Sequence, residues 1–295
     1  MPTRQSQWFL PRCRHGKVVV RQRTQSMAEL NIPRAHSNSW YDHLASIQSG
    51  YYYPWNSSIG DKNGEEAFLA LLREHLSPES DALEVGCGHG ELALDHADLC
   101  RHILAYDRVQ SYIDLANEDK TKRQVTNVDF LCYDAMDSGH DEMELPLEDN
   151  SVDLIFCRRG PLHWIEDAVR VCRDGSFILA LSPMEEPIPA WTSKLPHKLH
   201  YENSGRHTGT GSIHQSVENR LHQAGLTLHS GWSFDVPEIV SDPVELYRMV
   251  TWGQSEVPTF EDLKYKFDSI YDKYAEAEGI VLRHCRFLWQ AQVRK

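Results

Sequence analysis

The chain has 295 residues, enough for one large α/β domain or two small ones around a sizeable core. Hydrophobic residues at 41% and charged residues at 25% exclude long disorder, and no apolar run approaches the roughly 18 residues of a membrane span. The formal net charge of −13, from 30 Lys and Arg against 43 Asp and Glu, weighs against general nucleic-acid binding, which needs clustered cations.

Residues 1–26 break that balance with six cations (Arg4, Arg12, Arg14, Lys17, Arg21, Arg23) and no acid. Such an arm suits an organelle-targeting peptide, a nucleic-acid tether or a disordered extension ahead of a start at Met27, and the last is favoured. Apolar residues 18–20 are too few for a secretory leader. From Trp40 to Trp55 the chain is aromatic, with Tyr41, Tyr51, Tyr52 and Tyr53 between. This stretch reads either as a lid over a substrate or as packing on a sheet edge, because alternation cannot bury three successive tyrosines on one face. A helix then opens at 61–63, carries Phe68, Leu71, Leu72 and Leu76 on one face, and stops at Pro78.

Beyond Pro78 strands and helices alternate. Strands are predicted at 82–85, 102–107, 128–133, 152–157 and 177–181. Helices are predicted at 92–99, 111–117 and 162–171, with a turn at 173–176. Short links in this rhythm specify a parallel doubly wound sheet, whose ligands bind at the carboxyl ends of the strands. Residues 183–211 hold four prolines and read as a long loop or partly helical insertion. A helix at 212–224, a strand at 226–240, helices at 243–251 and 260–277, and a final strand at 280–290 complete the chain.

The seven cysteines (Cys13, Cys87, Cys100, Cys132, Cys157, Cys172, Cys285) are odd in number, dispersed and without a CxxC pair. That pattern suits reduced thiols in the cytoplasm. His197, His200, His207 and His214 match no compact ligand spacing, so no metal is expected.

The strand at 82–85 runs into Gly86-Cys87-Gly88-His89-Gly90-Glu91. Glycines at alternate positions permit positive φ and bring bare main chain close to a ligand at a helix start. As a dinucleotide fingerprint the loop fails when counted from Gly86, where Glu91 occupies the third small position. Counted from Gly88, through Gly90 to Ala93, it passes but begins late, so a nicotinamide oxidoreductase stays open. Asp107, closing the second of these strands, suits either reading because it can grip ribose hydroxyls.

The remaining signals discriminate. Glu84 precedes the loop in an E-x-G-x-G-x-G pattern, Asp134-Ala135 follows the third strand, residues 145–153 lead into the fourth, and Arg173-Asp-Gly-Ser precedes the fifth. At these residues the sequence resembles the class I S-adenosylmethionine-dependent methyltransferases, over roughly residues 64–183 with looser similarity to the C-terminus. The resemblance implies a Rossmann-like doubly wound α/β fold, seven-stranded in the order 3-2-1-4-5-7-6 with strand 7 antiparallel. To this the sequence adds a C-terminal helical cap from 184–215 and 241–279. By position it implies that Gly86, Gly88 and Gly90 line the methionine moiety of S-adenosyl-L-methionine. Asp107 would accept both ribose hydroxyls, Asp134 the adenine amino proton, and Ala135 would offer backbone. Arg158 would face the cofactor near its methyl group, and Glu84, Cys87 and Arg108 complete the implied cofactor set. The corresponding domain plan is an extension at 1–26 and a catalytic domain at 27–295, divided into 27–63, 64–183 and 184–295.

Acceptor residues are less determined. Tyr53 and Trp55 are candidates through the lid reading. Arg159 reads either as a substrate contact or as the partner of an acid such as Asp167, and His163 either as a substrate contact or as a locally bonded helix-start histidine. The layout after the fifth strand is similar to small-molecule methyltransferases and to ribosomal-RNA guanine-N1 methyltransferases. The acidic body and the lack of a zinc module favour a small-molecule acceptor without a nucleic-acid or membrane partner. A non-catalytic cofactor-binding scaffold stays open, and neither a catalytic base nor an oligomeric state is indicated.

Overall fold

A computed structural model of the protein describes residues 37–135, 144–196, 199, 212–254 and 256–295. The basic arm at 1–26 and His197, His200 and His207 lie outside the described residues.

The elements follow in order as α1 (Asn38–Ile47), β1 (Ser58–Ile59), α2 (Glu65–His75), β2 (Asp81–Val85), α3 (Glu91–His96), β3 (His102–Asp107), α4 (Gln110–Arg123) and β4 (Val128–Cys132). They continue with β5 (Val152–Arg158), α5 (Ala168–Val171), β6 (Cys172–Pro183), α6 (Ile213–Gln223), β7 (Leu228–Val240), α7 (Pro243–Thr251), α8 (Phe260–Tyr274) and β8 (Ile280–Gln292). Short 3-10 turns at His163–Asp167 and Ala190–Lys194 join them.

The strands form one sheet in the order β1-β7-β8-β6-β5-β2-β3-β4, parallel from β6 through β4. β8 runs antiparallel between β6 and β7. Numbered from β2, this is the expected order 3-2-1-4-5-7-6 with the last strand reversed. The count is a correction: the sheet has eight strands, because Ser58–Ile59 adds a short antiparallel edge on β7 at Ile239 and Glu238. A second correction concerns β6, which begins at Cys172 through residues read as a turn, with a register break opposite Val152 and Leu154.

Both sheet faces are covered, which explains why β2 is buried at Ala82, Leu83, Glu84 and Val85 alike. On one face Phe68 and Leu72 of α2, Leu92 and Ala93 of α3 and Ile113 of α4 pack against Leu154, Phe156 and Leu288. On the other, Ile213, Val217 and Leu221 of α6 and the parallel-stacked Trp164 and Trp289 close the core. The β7–β8 hairpin outruns β6, whose last pair is Pro183 with Arg286. Its far end carries a separate apolar cluster joining Leu246 and Val250 of α7, Phe267 and Ile270 of α8, and Trp191. The helical cap therefore stands at the carboxyl end of the parallel strands.

Candidate functional site

The glycine loop links β2 to α3, and each glycine meets a different demand. Gly86, Gly88 and Gly90 all hold positive φ, at 68°, 55° and 82°. A Cβ on Gly86 or Gly88 would meet nothing closer than 3.5 Å, whereas one on Gly90 would lie 2.5 Å from the Phe130 ring and 2.8 Å from Ala116. At Gly86 and Gly88 a Cβ would find only ordinary contact, with Pro161 and Tyr51, while Gly90 answers packing against β4 and α4. The Cys87 N–H donates to Tyr106 O at 3.0 Å, tying the loop to β3, and burial pushes the Cys87 thiol up. That rules against a reactive thiolate.

Asp107 ends β3 beneath this loop. Its two carboxylate oxygens accept from the Gly88 N–H and the Val109 N–H, each at 2.9 Å. Burial raises its pKa and these two N–H groups oppose the rise. Each oxygen retains acceptor capacity for a further donor.

Glu84 lies one turn of chain before the loop and is 3% exposed. Burial raises its carboxyl to about 8, against the pull of Arg158 and the Ala93 N–H. Its Oε2 has no hydrogen-bond partner among the described residues. A buried carboxyl oxygen left open beside a bare loop suits a cationic or hydrogen-bonding ligand group.

At the next strand end, Asp134 accepts from Arg108 Nε at 3.2 Å. Arg108 also donates from Nη1 to Asp42 at 2.9 Å and to Asn38 O at 3.1 Å, so one guanidinium joins β3, the end of β4 and helix α1. Ala135 beside Asp134 is buried.

The aromatic segment covers the glycine loop. The Tyr51 N–H donates to His89 Nδ1 at 3.3 Å, and Tyr51 Cβ is the nearest atom to the open side of Gly88. Farther on, the Asn56 N–H donates to Glu245 at 2.8 Å and the Ser57 hydroxyl to Glu238 at 2.7 Å, fastening the segment to α7 and β7. Trp252, just after α7, meets Trp40, Tyr51, Tyr53 and Trp55 edge-on with centroids 4.9–5.6 Å apart. The segment packs on the sheet edge at β1 and overlies the loop.

The sequence profile of a methyltransferase-domain family matches residues 82–176, the span from β2 into β6 that holds every residue of this crevice. Over that span the chain is similar to methyltransferase domains. The fold agrees with solved structures of low sequence identity. A functionally unknown protein from Deinococcus radiodurans R1 superposes with a TM-score of 0.58 at 19% identity, over 86% of this chain and 98% of that one. A candidate methyltransferase from Bacillus halodurans C-125 gives 0.55 at 17% identity, and the YcgJ protein from Bacillus subtilis gives 0.53 at 17%; each is covered completely by 78% of this chain. No curated protein matches.

Glu84, Gly86, Gly88, Asp107, Arg108 and Asp134 lie together at the carboxyl ends of β2, β3 and β4. Arg158 and Arg159 close β5 beside them. The acid near Arg159 is Glu65, at 3.7 Å, whereas Asp167 is taken by a two-nitrogen grip from Arg170. That corrects the pairing considered for Arg159, and the reason is topological: α2 starts above β5, while Asp167 faces residues 145–149. Arg159 carries φ +64°, and its guanidinium lies 5.8 Å from the Tyr53 ring centroid. His163 stands on the Asp134 side instead, with its pKa lowered by burial and by Arg220, against the opposing pull of Asp134. Among the described residues no group of side chains could hold a metal ion. His214 bonds Ser233 at 2.9 Å, with its ring against Phe287. Trp252 and Glu65 escaped the sequence reading because nothing local marks them; only the fold brings them here.

Proposed function

We propose that this methyltransferase moves a methyl group from S-adenosyl-L-methionine to a small-molecule acceptor. The observation that carries the proposal is the crevice floor, where Gly88 main chain, both oxygens of Asp107 and the open oxygen of Glu84 are set for a ligand with hydroxyls at one end and a cation at the other. When bound, the cofactor supplies an electrophilic methyl group on a sulfonium, and transfer leaves a neutral thioether.

The residues divide the ligand between them. Asp107 accepts the two ribose hydroxyls and Asp134 the adenine amino proton, with Ala135 offering main chain. Gly86 and Gly88 let the methionine moiety lie on the loop, Glu84 faces its ammonium, and Arg158 stands beside the transferring methyl. The acceptor enters between the aromatic segment and the cap. Alignment is the chief catalytic contribution, since an in-line displacement depends on holding nucleophile, methyl and sulfur in register, an effect worth several kcal/mol. Tyr51 above Gly88 and the fastened segment behind it exclude water from that line. A small-molecule acceptor is supported by the acidic body and by this enclosed lid. The test is calorimetry with S-adenosylhomocysteine, followed by transfer of labelled methyl to an extract of small metabolites. Failure to bind S-adenosylhomocysteine would overturn the reading.

A further inference from the structure

Four arginines elsewhere in this fold are held by two-nitrogen grips. Arg101, Arg170, Arg173 and Arg283 each donate hydrogen bonds from two guanidinium nitrogens to carboxylates. Arg158 and Arg159 differ. Neither guanidinium donates a hydrogen bond to any described residue, and both lean on Glu65 from 3.9 and 3.7 Å, with Glu91 a further 3.7 Å neighbour of Arg158. Their side chains are 24% and 28% exposed, which leaves their N–H donors accessible to a ligand.

Arg159 is moreover held in an unfavourable backbone state. Its left-handed φ costs a β-carbon-bearing residue about 1 kcal/mol or more, and such strain persists where the surroundings enforce it. Here the enforcement is visible. The Arg159 N–H donates to Leu181 O at 2.8 Å, and Gly160 is pressed so close that a Cβ would lie 2.6 Å from Cys157 Sγ. The turn aims a guanidinium along the Tyr53 ring, which is itself 36% exposed.

Resting on the cofactor reading above, we propose that Arg159 and Tyr53 form the acceptor subsite, and that the acceptor is a planar aromatic carboxylate. A guanidinium edge without hydrogen bonds matches a carboxylate in fork geometry, and the adjoining ring offers a flat apolar face to the body of the molecule. The charge balance agrees. Two arginines against Glu65 and the exposed Glu91 leave the pocket near neutral, and the sulfonium of a bound cofactor adds one positive charge. A monoanion is therefore drawn to the loaded site, and its hold weakens once transfer has neutralised the sulfonium.

The experiment uses the full chain saturated with S-adenosylhomocysteine or with the sulfonium cofactor, titrated with benzoate and 2-naphthoate and with the corresponding amides. The expected result is at least a fivefold preference for each carboxylate over its amide, larger on the sulfonium-loaded protein. Arg159→Gln abolishes the preference, and Arg159→Lys keeps part of it while binding S-adenosylhomocysteine as the wild type does. Equal binding of acid and amide, or a preference that survives in Arg159→Gln, would overturn the proposal. Loss of S-adenosylhomocysteine binding by the wild type would instead strike the cofactor reading, so the two failures are separable. Should Arg159→Gln not fold, Tyr53→Leu serves, with an expected loss of 2-naphthoate affinity at least threefold greater than that of acetate.

Discussion

Asp107 and Gly88 are joined by a 2.9 Å hydrogen bond from the glycine main chain to a buried carboxylate. The acid proposed to hold the ribose therefore also sets the shape of the loop proposed to hold the methionine. Asp107→Ala removes both roles. Two ribose bonds at about 1 kcal/mol or more each predict at least a tenfold loss of S-adenosylhomocysteine affinity by calorimetry. Asp107→Asn keeps the loop contact through its amide oxygen and is expected to lose less. Unchanged affinity in the alanine variant would contradict the ribose assignment.

Glu84 gives a pH prediction. Its folded pKa of about 8 lies above its ordinary 4.5, so the fold keeps a proton that the unfolded chain has released. The stability this adds is complete below about pH 4.5 and is lost as pH rises through about 8, several kcal/mol in the limit. The Tm of the ligand-free protein should fall between pH 6.5 and 8.5, and Glu84→Gln should flatten that fall while still accepting from the Ala93 N–H. Asp107 is raised by burial as well, and burial lifts Glu186 to about 7, so the wild-type fall is shared and the difference between wild type and Glu84→Gln reports on Glu84. An equally steep decline in the variant would assign the pH dependence elsewhere.

What could be read in advance was the parallel core. Its strands are continuous apolar runs ended by glycine or acid, a signal that survives without tertiary information, and the order of all seven long strands followed from the resemblance they carried. What could not be read was short or remote. Ser58–Ile59 has two residues and no period, so only pairing with Ile239 and Glu238 makes it a strand. Gly175, at φ +84° in the middle of β6, looks like a turn because locally it is one. Helix α1 was hidden by its aromatic content, although Ser37 caps it by accepting from the Trp40 N–H at 3.2 Å. The site shows the same division, with loop and acids legible one by one and Glu65 and Trp252 invisible until the chain is folded.

The two kinds of positive-φ glycine predict opposite tolerances. Alanine at Gly90 would face both the φ of 82° and a Cβ only 2.5 Å from Phe130. Gly175, at φ 84°, has nothing within 4 Å of the same atom. Gly175→Ala should cost only the left-handed penalty, about 1 kcal/mol. Gly90→Ala adds overpacking of about 1–3 kcal/mol and should lower Tm by several degrees more. Chemical denaturation of the pair measures the difference, and equal losses would show that Phe130 yields freely.

Arg108 bridges Asp134 to Asp42 and the Asn38 carbonyl, which couples helix α1 to the acid proposed to meet the adenine. These partly exposed pairs are each worth up to about 1 kcal/mol. Arg108→Gln should therefore speed amide exchange in residues 38–47 by up to about tenfold, with S-adenosylhomocysteine affinity falling only a few-fold. Exchange that stays at the wild-type rate would show that Trp40, buried against Gly253, holds the helix unaided.

Trp252 is the point where lid and cap meet. Its ring touches Trp40, Tyr51, Tyr53 and Trp55, four residues that share no other described common partner ring. Truncation to alanine removes a large aromatic body from that cluster, and comparable losses run to about 3 kcal/mol. The hydrogen bonds of Asn56 to Glu245 and Ser57 to Glu238 remain, so the segment should loosen at its near end only. Limited proteolysis of Trp252→Ala is expected to cut within residues 48–55 before any cut in the parallel core, and saturating S-adenosylhomocysteine should slow it by re-closing Tyr51 over Gly88. Trp252→Phe should restore most of the protection. Cleavage that starts in the core, or that ligand leaves unchanged, would mean that the aromatic cluster supports the fold as a whole and does not act as a cover for the site.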